Sequence, residues 1–209
     1  MPMDVQRTLD FYTSLMEEVK VRTATIDAVV AGQLGDVPPY ISGEIAYLQI
    51  RLICESIALG SLAIHNEIEA TASGKLVKAY SAEFILKRLE ALHPRFYPVP
   101  VVEKDGTMVK SDVDYLTQGR LIDLYHECNV YLHRGTMKTL EDPKTLNFDK
   151  IMDARNRTVA LLNQHETLAV DERWMFIAMM NGRPEGAPLE TPGKVQVTYW
   201  EKISPLAGN

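Results

Sequence analysis

Residues 41–70 read ISGEIAYLQIRLICESIALGSLAIHNEIEA, a run with no proline and no turn dipeptide. From Ser42 to Ala70 a single helix would extend about 43 Å, at roughly 1.5 Å per residue. At helical spacing Ile45, Leu48, Leu52 and Leu59 share one flank, and Ala46, Ile50, Ile53, Ile57, Ile64 and Ile68 share the other. A helix apolar on two flanks has neighbours on both sides, which places this one in the middle of a bundle. Two polar seams separate the flanks. One is small, with Ser56 and Gly60 four apart and Ala63 beside them, and admits a close backbone; the other carries Glu44, Arg51, Glu55 and Glu69.

Working towards the N-terminus, Leu9, Met16, Thr23 and Val30 recur every seven residues, with Tyr12, Val19 and Ile26 as a second line. That pattern predicts a helix from Asp4 to about Leu34 whose seam lies along the central helix or makes a dimer contact. Gly35, Pro38 and Pro39 break the chain and turn the pair into an antiparallel hairpin.

Towards the C-terminus, Ser73–Gly74 ends the central helix. A third helix is predicted over about Lys75–Leu92, with Leu76, Tyr80, Phe84 and Leu89 as core candidates, and His93–Pro94 stops it. Asp105–Gly106 between short β-branched runs predicts a small hairpin near residues 99–110. Ser111–Asp114 has the form of a capping box for a fourth helix ending at His133, and Asn147 can cap a fifth from Phe148 to about Gln164. The period changes to two near Asp171. Trp174, Phe176 and Ala178, then Val195, Val197 and Tyr199, form the alternating lines of a C-terminal hairpin.

The expected fold is therefore mainly α: a single-domain five-helix bundle over residues 1–170, with a β-hairpin insertion, and a β-hairpin appendage over 171–209 packed on it. A hydrophobic fraction of 46% supports a sizeable core. The net charge of −6 argues against holding nucleic acid by bulk electrostatics and leaves RNA contact only to a local site. Cys54 and Cys128 both fall on apolar helical faces and read as small hydrophobes. The start, MPMDVQRTLD, lacks a signal-peptide pattern, and Gln49, Arg51 and Glu55 interrupt the most apolar window. The chain thus reads as cytoplasmic, with no membrane span.

Nucleotide and metal signatures are absent, so no cofactor and no metal is predicted. One Glu-x-x-His, Glu90 with His93, sits at a helix end, whereas a di-metal bundle needs two such motifs and further glutamates. In Arg120–Gly135, His126 and His133 are seven apart, about 10.5 Å along a helix and too far for one metal ion. One reading makes them a groove contact and a helix C-terminal cation. Arg51 and Glu55, one turn apart, must be paired if covered, and Arg155 and His133 are the further polar candidates for such a network or pocket. Arg155, stranded in an apolar stripe, is the expected partner of Glu55.

Arg120 followed six positions later by His126 resembles the Arg-x4–6-His signature of the HEPN superfamily of helical bundles. Many members are metal-independent ribonucleases that act as dimers with the motif at the interface. The resemblance implies His126 as general acid/base, Arg120 as the group holding the scissile phosphate, and Asp123 or Asn129 as a third contributor. Leu121 stands where the family usually has a polar residue, and Arg155–Asn156 has no histidine four to six positions beyond it. Two functions follow: a ribonuclease of toxin or defence type, or a non-catalytic interaction module that dimerises or docks a protein partner through its strands.

Overall fold

The computed structural model of the chain describes residues 4–65, 76, 78–133, 146–169, 174–183, 186, 188 and 190–201. Five helices lie among them: α1 (Val5–Val30), α2 (Pro39–Ile64), α3 (Ala82–Leu92), α4 (Gln118–Leu132) and α5 (Phe148–Leu162). Five strands accompany them: β1 (Val99–Lys104), β2 (Thr107–Lys110), β3 (Gln164–Leu168), β4 (Trp174–Gly182) and β5 (Lys194–Glu201). The strands make one antiparallel sheet in the order β2-β1-β3-β4-β5.

The fold is therefore α+β, which corrects the expectation of a mainly α bundle carrying two separate hairpins. The correction turns on β3. It pairs with β1 through Val99↔Glu166 and Pro100↔His165, and with β4 along Gln164–Leu168, so it welds both hairpins into one sheet. Its sequence, QHETL, follows α5 after Asn163 alone and carries one β-branched residue, so it shows no strand signal beyond the expected end of the helix near Gln164.

Helix α2 holds the centre. Ala46, Ile50, Ile53, Ile57 and Ile64 are buried as one flank. The other flank is not enclosed: Leu48 and Leu59 are 42% and 37% exposed. They ride the outer crest between two neighbours that dock on the two seams. The small seam takes α1, with Tyr12 and Met16 against Gly60, where a Cβ would lie 3.1 Å from Tyr12 Cε2. The polar seam takes Tyr125 of α4, bonded to Arg51 and Glu55. α2 is long and apolar enough to cross a membrane, and 56% of that window is buried inside the fold.

Element ends shift in ways the local chemistry explains. Pro39 occupies N1 of α2, where its missing N–H costs nothing. α3 begins at Ala82, capped by Ser81, so Tyr80 and Phe84 are exposed while Leu76 and Leu89 are buried. The cap of α4 is Thr117, which accepts from Arg120 N, and not the Ser111–Asp114 box. Ile68 and Ser73–Gly74 lie outside the described residues.

The sheet covers α1 and α5. Phe176, Ala178, Met180 and Val195 belong to the same core as the helices. Tyr12 of α1 donates to Nε2 of His165 on β3, whose Nδ1 lies 2.8 Å from Leu162 O. That ring is thus fixed as the neutral Nδ1–H tautomer, and burial pushes its pKa down to about 4.

Candidate functional site

Arg120 and His126 both sit on α4 and are both exposed, but each is engaged by a different carboxylate. Arg120 pairs with Asp114 and also donates to Tyr115 O, and its guanidinium holds the Asp114 carboxyl below the usual range. Nε2 of His126 lies 3.1 Å from Glu83, a carboxylate already bonded to Lys87 at 2.7 Å. Asp123 is exposed, and the Asn129 carbonyl accepts His133 N at the helix end.

The polar seam of α2 is a closed triangle. Arg51 Nε donates to Glu55 at 3.2 Å and Nη2 to Tyr125 Oη at 3.0 Å, while the guanidinium also lies 4.7 Å from the Tyr125 ring centroid. Arg155 does not join it. Its Nε and Nη2 grip both oxygens of Asp27 at 2.8 and 2.7 Å, tying α5 to α1. His133 is exposed at the α4 C-cap and lies outside the triangle too. The predicted group Arg51, Glu55, Arg155 and His133 is thereby split over three places. Asp27, the partner sequence reasoning missed, is 128 residues from Arg155 and carries no local signal.

The arrangement with unused binding capacity lies along α1. β5 is an edge strand, and an edge strand directs its free N–H and C=O groups outward at every second residue. Two α1 side chains close the start of that edge. Lys20 Nζ donates to Gly193 O at 2.7 Å, and Val195 N donates to Glu17 Oε1 at 2.6 Å. Lys20 and Glu17 also pair with each other at 3.3 Å. Gly193 is required here, because a Cβ would fall 2.7 Å from Asn181 O. Beyond Val195 the outward groups belong to Val197 and Tyr199, and among the described residues nothing bonds them. Tyr199 and Trp200 are 45% and 49% exposed beside that open edge.

Next to the closed part lies a cleft of about 250 Å³ between α1, α5 and β4. Val19, Leu162 and Met180 form its apolar floor; Lys20, Asp27 and Arg155 bring charge, and Asn163 and Asn181 bring carboxamides. Among the described residues no group of His, Cys, Asp or Glu could hold a metal ion. No family model, curated protein or solved structure matches the chain.

Proposed function

We propose that this chain is a non-catalytic interaction module that takes an extended, apolar segment of a partner protein as an added strand along β5. The observation that carries this reading is the half-closed edge. Lys20 occupies Gly193 O and Glu17 the Val195 N–H, while Val197 and Tyr199 keep donors and acceptors directed outward. Strand addition uses such groups for affinity and the alternating side chains for choice of partner. Tyr199 on one face and Trp200 on the other supply apolar contact for both sides of an incoming strand.

The nuclease expectation draws no comparable support. The guanidinium that is to grip phosphate pairs with Asp114, and the imidazole that is to move a proton lies 3.1 Å from Glu83, so each of the two groups faces a carboxylate.

Amide hydrogen exchange tests the proposal residue by residue. In dilute protein the Val195 amide is expected to be protected, and those of Val197 and Tyr199 to exchange freely. A displayed library of random octapeptides should enrich for alternating β-branched and aromatic sequences that slow both amides. Val197→Pro, which removes the outward N–H, should abolish that binding with the fold intact. Protection of Val197 and Tyr199 in the dilute monomer, or peptide binding unchanged by Val197→Pro, would overturn the reading. Protection that grows with protein concentration would make the added strand a second copy of this chain.

A further inference from the structure

We infer that the cleft between α1, α5 and β4 is a binding site for a small organic monocarboxylate with a compact apolar body. The floor is apolar, as a site for a carbon skeleton must be. Charge at the mouth is balanced pair by pair: Lys20 and Arg155 line it, Glu17 pairs with Lys20 and Asp27 with Arg155. With no net charge to spare, the site has to hold an anion by hydrogen bonds from the two cations, which suits a monoanion and leaves a phosphate dianion far under-neutralised.

Donors remain to be used. Arg155 makes three bonds, two to Asp27 and one to Asn156, out of five N–H groups, so two have no partner among the described residues. Lys20 gives two of its three N–H groups, to Gly193 O and Glu17. Its side chain is 24% exposed and that of Arg155 is 25% exposed, so both are partly shielded, where a charge-assisted hydrogen bond is worth more than on open surface. Thr23 and Thr158 donate their hydroxyls to Val19 O and Ala154 O, leaving only acceptor capacity towards the cleft.

Size narrows the class. An apolar cavity of about 150 Å³ takes benzene, so about 250 Å³ accommodates roughly ten non-hydrogen atoms at the same density. Phenylacetate has that size and the required single charge, and phenylacetamide is its neutral counterpart of equal shape.

The test is titration calorimetry of the full chain with those two compounds and with inorganic phosphate. Phenylacetate is expected to bind at least about tenfold more tightly than phenylacetamide or phosphate, the worth of one charge-assisted hydrogen bond. Lys20→Met should cost about tenfold and Lys20→Arg much less. Ala24→Leu, placed on an exposed position of the cleft wall, should block the apolar body without touching the core. Glu17→Gln removes the carboxylate paired with Lys20, so phenylacetate should bind more tightly to that variant; Val197→Pro, which acts on β5 and lies outside the cleft lining, should not change binding, and this separates the cleft from the β5 edge. In wild-type ¹H–¹⁵N spectra, phenylacetate should shift the amides of Thr23 and Asn181. Equal affinity for acid and amide, or binding indifferent to both Lys20→Met and Ala24→Leu, would overturn the inference.

Discussion

Tyr12 and His165, 153 residues apart, meet as donor and acceptor in the core, and their bond ties the first helix to the strand that joins the two hairpins. The ring on one side and the hydroxyl on the other are both buried, so neither finds water when the other is lost. Removing the donor alone leaves Nε2 of His165 unsatisfied. Tyr12→Phe is therefore expected to destabilise the chain by about 1–3 kcal/mol, read as a lower urea midpoint with an unchanged slope.

Two buried imidazoles make the fold sensitive to acid. Burial pushes both His65 and His165 down to about 4 from 6.5; at His65 it does so against Ser61 O and Leu168 O, which lie on the two ring nitrogens and favour the protonated ring. Below about pH 6.5 the unfolded chain takes up protons at these residues and the folded chain does not. Stability is thus fully present above that pH and falls as pH drops towards 4, by about 1.4 kcal/mol per pH unit for each histidine. Urea midpoints at pH 7, 6 and 5 should decline in that order. ¹³C-detected titration should find both rings neutral at pH 5.

At Gly60 two effects oppose each other. Alanine relieves the helix of glycine by about 1 kcal/mol, but its Cβ would stand 3.1 Å from Tyr12 Cε2 and 3.4 Å from Met16 Cε. Both contacts are to side chains, which can give by a few tenths of an ångström. Gly60→Ala should be close to neutral, whereas Gly60→Leu should overpack the α1–α2 contact and cost about 1–3 kcal/mol or more. Thermal melts of the two variants separate these outcomes.

How far such contacts can be read from sequence differs from case to case. Gly60 was legible: small residues at helical spacing on an apolar helix mark a close approach whatever partner arrives. Ile50 and Ile57 were legible as core because they repeat at helical spacing on one apolar flank, and the fifth helix follows from its cap, Asn147. Leu48 and Leu59 were misassigned because periodicity reports which residues share a flank, not whether a neighbour covers it. β3 escaped because a short strand buried between two others needs no alternation of its own strong enough to see in QHETL. Arg51 and Glu55 are neighbours by spacing, but nothing in the sequence points the Tyr125 hydroxyl of α4 to them. The Arg155 partner lay beyond any local rule.

That last pairing gives a fourth expectation. Arg155 and Asp27 are joined by two hydrogen bonds but are 25% and 41% exposed, so solvent discounts their attraction. A double-mutant cycle with Arg155→Ala and Asp27→Ala should return about 1 kcal/mol of coupling. The same cycle with Glu55→Ala should return less than about 0.3 kcal/mol, because Arg155 and Glu55 make no contact in the fold described above.

The two α1 side chains on Gly193 and Val195 act on β5 as the stop does on a slide fastener. In the strand addition proposed above, the Val195 N–H is already taken, so the first N–H open to an incoming strand is that of Val197. A slip by a single residue would turn every side chain to the wrong face of the sheet. On that proposal the limit of the usable border is set from a helix, by a lysine and a glutamate that the arriving chain never has to touch.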